Sequence, residues 1–327
     1  MSTAGPAPGP SARPGRDDGR PVLLALRGLA LGDLLTAVPA LRALRRAWPG
    51  HRIVLAAPAA LAELLPPIGA ADELLDVSGP GPVPFDAPDI AVNLHGSGPQ
   101  SIEALLRTGP GRLLTHAHPA FPGVPGPPWR ADVHEVRRWC DLLGWYGVPA
   151  DPADLCLTGP DRAAARTGPV VVHPGAAYPA RRWPPERFAR VAAGLRAAGH
   201  DVVVTGNAAE RELARRVARL ARLPEENVLA GRTGLRELAA LLAAARLLVC
   251  GDTGVAHLAS AYGTPSVLLF GPVSPALWGP PPGGPHRVLW AGRSGDPHGR
   301  ETDPGLLRID VPEVLDAALN LMEVDVR

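Results

Sequence analysis

The chain has 327 residues, 46% of them hydrophobic, and a formal net charge of +1. That is enough apolar material for two ordinary domains, and the near-zero charge gives no general electrostatic case for nucleic acid. No window approaches the roughly 20 uninterrupted apolar residues of a membrane span; the best candidate, Leu238 to Cys250, is short and carries Arg246. Cys140, Cys156 and Cys250 are far apart and odd in number, which suits neither a disulfide framework nor a four-ligand zinc site. They are expected to be small core residues in a reducing compartment, and the protein to be soluble and cytoplasmic.

In chain order, residues 1–20 are rich in Pro, Gly and Ala and lack the apolar run of a signal peptide, so they read as a disordered tail. Val22 to Leu26 is an apolar run that stops at a small-residue loop, Gly28 to Gly32, and a helical pattern follows from about Asp33 to Trp48. This is the strand, loop and helix that open a βαβ unit, with a kink or tightened first turn expected at Pro39. Strands are expected at Ile53 to Ala57, Glu73 to Val77 and Ile90 to Leu94, apolar without strict alternation, as in a sheet covered on both faces. His116 to Arg130, dense in Pro and Gly, should be an exposed loop, followed by a helix from Asp132 to about Leu143. Prolines punctuate Val148 to Pro169, where the domain linker is placed.

The second half restarts the same grammar. Strands are expected at Val170 to His173, Val202 to Thr205, near Val228, at Leu247 to Cys250 and at Ser266 to Phe270. Helices are expected at Glu186 to Ala198, Ala208 to Ala221, Leu235 to Ala244 and Val255 to Tyr262. Strands alternating with helices argue for a parallel, doubly wound sheet. The resulting expectation is an α/β chain of two Rossmann-like domains, 21–158 and 159–310, facing a cleft. A last helix within 311–327 has no strand after it and could pack back onto the first domain.

Four segments at strand ends could carry chemistry. Gly251-Asp252-Thr253-Gly254 with His257 sits where a strand ends and a helix begins; its glycines permit close approach, and the free N–H groups of the helix start favour an anion such as a diphosphate. The competing reading is that Asp252 or Thr253 caps the helix and that His257 is a core histidine. Arg181 and Arg182 lie just ahead of the helix start marked by Pro184 and Pro185 and could bind phosphate, or form a solvated basic turn. Gly206-Asn207-Ala208-Ala209-Glu210 closes the strand Val202 to Thr205, and Glu210 could meet ribose hydroxyls, or simply be a first-turn glutamate favoured by the helix dipole. Asp33 would repel a diphosphate but suits a general base aimed from a helix start into the cleft, unless it is an N-cap. Arg42, Arg45 and Arg46 read as a solvated helix face more readily than as a steering patch.

These segments, taken in order, resemble glycosyltransferase family 9, the ADP-heptose lipopolysaccharide heptosyltransferases and their relatives. The resemblance rests on Leu31-Gly32-Asp33-Leu34-Leu35 followed by Pro39-Ala40-Leu41-Arg42, on Pro174-Gly175 with Arg182-Trp183-Pro184, on Gly206-Asn207 with Glu210, and on Gly251-Asp252-Thr253-Gly254 with His257. It implies a GT-B architecture and a metal-free, cofactor-free, inverting transfer of a sugar, with ADP-heptose the leading donor, to a hydroxyl acceptor. That acceptor could be a glycan, lipid-linked or a small molecule, and peripheral membrane contact stays open. The family's essential aspartate matches Asp33. Its donor-binding residues match Asp252, Thr253, Gly254 and His257, with Arg181, Arg182 and Glu210 completing the donor side. Two departures stand out: Arg181 where the family often has lysine, and Ala176 and Ala177 in place of hydroxyl side chains. Other enzymatic and non-enzymatic readings are a nucleotide-sugar epimerase and a nucleotide-sugar binding module.

Overall fold

A computed structural model describes residues 19–159 and 166–324. The expected tail therefore lies almost wholly outside the described residues, as does part of the expected linker. The first half contains β1 (Val22–Leu26), α1 (Leu31–Thr36), α2 (Val38–Ala47), β2 (Arg52–Ala57), α3 (Leu65–Ile68), β3 (Glu73–Asp76), β4 (Ile90–Asn93), α4 (Gln100–Leu106), β5 (Arg112–Leu114) and α5 (Glu135–Trp145). The second contains β6 (Val170–His173), α6 (Pro185–Ala197), β7 (Val202–Val204), α7 (Arg211–Leu220), α8 (Leu235–Ala244), β8 (Leu247–Gly251), α9 (Gly254–Tyr262), β9 (Ser266–Phe270), α10 (Pro275–Trp278), β10 (His286–Trp290), α11 (Pro304–Leu307) and α12 (Val311–Val324).

Each half builds a five-stranded sheet, ordered β3-β2-β1-β4-β5 and β10-β9-β8-β6-β7, and every paired strand is parallel. The central strands are buried along their length, as in a sheet with helices on both faces. Strand order reverses between β1 and β4 in the first sheet and between β6 and β8 in the second. In open α/β sheets ligands bind outside the carboxyl ends of the strands at such switch points. Here the loops after β1 and β4 meet at one crevice and those after β6 and β8 at the other.

The apolar core does not stop at the boundary between halves: Leu35, Leu41 and Leu55 belong to the same buried cluster as Leu242, Val255, Leu258 and Phe270. The connecting segment is tied to both sides. The Thr158 amide donates to the Pro67 carbonyl, the Leu157 amide donates to Ala261, and Asp154 accepts from both Arg42 and Arg46 at 2.7 Å. Arg45 pairs with Asp72. The basic face of α2 is thus pinned by carboxylates rather than left to solvent.

Several expectations shift. The helix around Pro39 is two helices, broken at Ala37, with Pro39 in the first turn of α2, where its missing N–H is harmless. The strand expected near Val228 is a single bridge to Val204. Cys156 is exposed, whereas Cys140 and Cys250 are buried. The last helix packs on the second half: Val311, Val314, Ala318 and Met322 join Phe188, Leu195 and Val267 in one cluster. Its apolar stripe packs over β8, β9 and β10 beside α6. Among the described residues no helix is long and apolar enough to cross a membrane.

Candidate active site

The two crevices open on a common cleft of about 670 Å³, lined by Asp33 and its loop from the first half and by His173, Tyr178, Arg181, Glu210, Asp252, Thr253, Gly254 and His257 from the second. Seven of the eight site residues expected from sequence are therefore brought together. The eighth, Arg182, is not: its Nε donates to the Ala176 carbonyl at 2.8 Å, bracing the loop after β6 from behind.

The halves touch at two glycines. A Cβ added to Gly254 would lie 2.9 Å from the Leu31 Cβ and 3.0 Å from the Gly32 amide nitrogen, and one added to Gly32 would lie 2.8 Å from the His257 ring. Helices α1 and α9 thus start almost in contact, which only glycine allows. Gly254→Ala is expected to wedge them apart at an overpacking cost of roughly 1–3 kcal/mol, visible as a lower midpoint in thermal melts together with reduced turnover. An unchanged melting temperature would count against this contact.

Thr253 is the N-cap of α9, yet no side chain caps that helix. The capping alternative for Asp252 and Thr253 therefore falls, and the helix start faces the cleft with its orphan amides unclaimed by side chains. Beside it Arg181 Nη1 stands 3.5 Å from Asp252 Oδ2. Arg181 Nε and Asp252 Oδ2 are buried without hydrogen-bond partners, a costly condition that a polar ligand would relieve. Burial pushes the Asp252 carboxyl above the usual carboxylate range, with Arg181 opposing and Asp33 adding to the rise. His257, held edge-on 5.9 Å from the Trp278 ring, is brought down to about 4 by burial first and by His134 second, so it is a neutral imidazole at pH 7.

Glu210 is a capping-box residue: its Oε2 accepts the Asn207 amide at 2.9 Å while Asn207 Oδ1 accepts the amides of Ala209 and Glu210. The first-turn reading holds, and yet the carboxylate also lines the cleft. It lies so close to Gly175 that a Cβ there would meet Oε1 at 2.2 Å. His173, whose Nδ1 is 3.0 Å from Thr205 Oγ1, forms the cleft wall next to it.

Asp33 is the third residue of α1, not its N-cap, which is Ala30. Burial raises its pKa above the ordinary carboxylate value, the attraction of Arg27 lowers it, and the repulsion of Glu135 raises it again. Arg27 was not anticipated from sequence. It is fully buried at the end of β1; its Nε donates to the Asp33 carbonyl at 2.9 Å, its Nη1 to the Leu94 carbonyl and its Nη2 to Glu135 Oε1 at 2.9 Å. The Asp33 carboxylate lies 3.5 Å away. Glu135 in turn accepts from Trp139 Nε1 and Arg138 Nε, each at 3.0 Å. Arg27 thus fixes the first turn of α1, which carries Asp33, against α5. The sequence signal was present: a lone arginine ending an apolar strand must find a buried partner.

A profile of the family "Glycosyltransferase family 9 (heptosyltransferase)" matches residues 131–303, more than half of the chain. The chain belongs to glycosyltransferase family 9. It is 38% identical over 140 residues to lipopolysaccharide heptosyltransferase 2 of Salmonella typhimurium, an alignment covering 41% of this chain and 40% of that protein. The aligned stretch thus spans about two fifths of that curated relative. The fold of this family-9 chain matches a family-9 glycosyl transferase of Veillonella parvula with a TM-score of 0.76 at 23% identity, covering 93% of this chain and 98% of the other. It also matches the Escherichia coli ADP-heptose lipopolysaccharide heptosyltransferase II with a TM-score of 0.75 at 21% identity, covering 94% and 100%. The architecture is GT-B.

Proposed function

We propose that this chain is an inverting glycosyltransferase that moves a sugar from a nucleotide diphosphate donor, ADP-heptose first among candidates, to a hydroxyl acceptor without a metal ion. The observation that carries the reading is the juxtaposition of a raised-pKa carboxylate, Asp33, with an uncapped helix start, that of α9, across one cleft. The division into an acceptor-binding first half, 21–158, and a donor-binding second half, 159–310, is part of this proposal, as is a cytoplasmic location.

In the reaction the acceptor hydroxyl gives its proton to the Asp33 carboxylate as its oxygen bonds to the anomeric carbon from the face opposite the diphosphate. The bond from that carbon to the diphosphate oxygen breaks, and the nucleoside diphosphate departs with the electron pair. A carboxylate whose pKa has been moved toward neutrality is a better match for a hydroxyl proton than an ordinary one. The departing charge meets the Thr253 and Gly254 amides and the α9 dipole, preorganised by the glycine contact with α1. Arg181 supplies the remaining countercharge, and Asp252 holds sugar hydroxyls through its carboxylate. Glu210, with one oxygen committed to Asn207, keeps the other for a ribose hydroxyl. Likeness in sequence to curated lipopolysaccharide heptosyltransferases supports a heptose donor.

The test is incubation of ADP-heptose with candidate acceptors, with and without chelator. ADP release that depends on acceptor and survives chelation is expected. Rearrangement of the sugar without acceptor would instead indicate an epimerase, and tight binding without product a binding module. Arg181→Ala is expected to weaken ADP binding about ten- to a hundredfold, the worth of a charge-assisted contact; titration calorimetry showing unchanged affinity would remove Arg181 from the donor site.

A further inference from the structure

A second cavity of about 590 Å³ lies in the first half, between the loop that follows β4, through Ser97, and the long loop that follows β5, through His118, Phe121, Val124 and Trp129. The order β1-β4-β5 puts both loops on the strand-end edge that carries Asp33. β4 and β5 lie one and two strand positions to the side of β1, so the cavity lies on the flank of the cleft beyond the loop after β4.

The walls are fixed. Asn93 Nδ2 reaches both Ser101 and Thr115, joining β4, α4 and the β5 loop, and the Tyr146 hydroxyl accepts from the Thr115 amide and lies within hydrogen-bond distance of the Thr115 and Pro125 carbonyls. Trp129 is backed by the Arg138 guanidinium 4.0 Å from its ring centroid and by His116 at 5.0 Å. Arg138 bonds Glu135, Glu135 bonds Arg27, and Arg27 abuts Asp33. His95, in the loop that follows β4, has an Nδ1 buried without a hydrogen-bond partner.

None of the lining residues is Arg, Asp or Glu; besides Ser97 and His118 they are aromatic, aliphatic and proline side chains. The nearby cations are engaged elsewhere: Arg130 pairs with Asp132, and Arg138 is spent on Glu135, the carbonyls of Arg130 and Val133, and the Trp129 ring. An anionic acceptor would give up its hydration here without a countercharge, whereas an uncharged ring could lie against Phe121 and Trp129. We propose that this cavity is the outer acceptor subsite and that it selects an acceptor whose part remote from the reacting hydroxyl is an uncharged ring with an apolar face. The proposal rests on reading Asp33 as the base of a sugar transfer.

The test uses a matched pair of probes, 2-naphthol and 2-naphthyl phosphate, titrated into the full chain with the donor site filled by ADP and again without ADP. Wild type is expected to bind the neutral probe about tenfold or more tightly than the anion, the scale of an uncompensated charge. Phe121→Ala should weaken 2-naphthol by roughly three- to tenfold through lost ring contact. Val124→Arg, at a half-exposed position, should close most of the gap between the two probes by adding a phosphate partner, for about a tenfold gain on the anion. Circular dichroism checks that each variant folds. Equal or tighter binding of the anion to wild type, or 2-naphthol binding indifferent to both substitutions, would overturn the proposal. Failure of ADP to bind while the probes keep this order would overturn the sugar-transfer reading and leave the pocket's selectivity standing.

Discussion

Asp33→Asn is expected to lower turnover roughly 100- to 10,000-fold, the loss typical of removing a general base, while ADP affinity stays within a factor of about two because the side chain is isosteric and the diphosphate contacts are assigned to the second half. Steady-state rates and titration of ADP measure the two quantities separately; wild-type turnover in the variant would end the assignment. The pH dependence follows from the direction of the shift. The base works ionised, so the acid limb of the rate should lie above the pH of an ordinary aspartate. The stability effect has the same origin. Asp33 binds its proton more tightly folded than unfolded, so its contribution favours the fold at low pH and is lost as pH rises past the unfolded value. At neutral pH the asparagine variant should therefore melt at or above the wild-type temperature, a gain in stability at the expense of function.

Arg27→Met is expected to do the opposite, destabilising the chain by about 3–5 kcal/mol, since breaking a buried ion pair strands the surviving charge. Glu135 would keep only Arg138 and Trp139, the Leu94 carbonyl would lose its donor, and the Asp33 carbonyl would keep only the Thr36 hydroxyl. Denaturant unfolding reads the loss directly. The kinetic signature separates positioning from mere stability. Without the Arg27 attraction the Asp33 carboxyl rises further, so whatever activity survives should show an acid limb displaced upward relative to wild type. A melting temperature equal to wild type, or an unmoved pH profile in a folded variant, would deny Arg27 this part.

What could be read in the chain itself was whatever is local. The strand-end glycines at Gly32, Gly251 and Gly254 announce sharp turns from apolar runs into helices, and those turns are where the cleft forms. Asn207 followed three residues later by Glu210 is a capping-box pattern, and the structure shows both that role and a place on the cleft wall. By contrast, nothing in the tandem Arg181-Arg182 says which guanidinium faces the cleft; that is settled by the short 3₁₀ turn over Pro179–Arg181, which sends the second one back to Ala176. The partnership of Arg27 with Glu135 spans 108 positions, beyond any periodicity. The strands β5 and β10 escaped for different reasons. The first has three residues, and the second is an edge strand beginning with His286 and Arg287, too polar to register as an inner strand.

The apolar cluster that runs from Leu35 and Leu55 through Val255 to Phe270 bears on how the molecule comes apart. A half removed from its neighbour would expose one wall of this shared interior to water, so each half is expected to be less stable alone than in the whole chain. Heating should therefore melt the chain in one cooperative transition, and a nucleotide gripped only by the second half should raise the melting point of the first by the same amount.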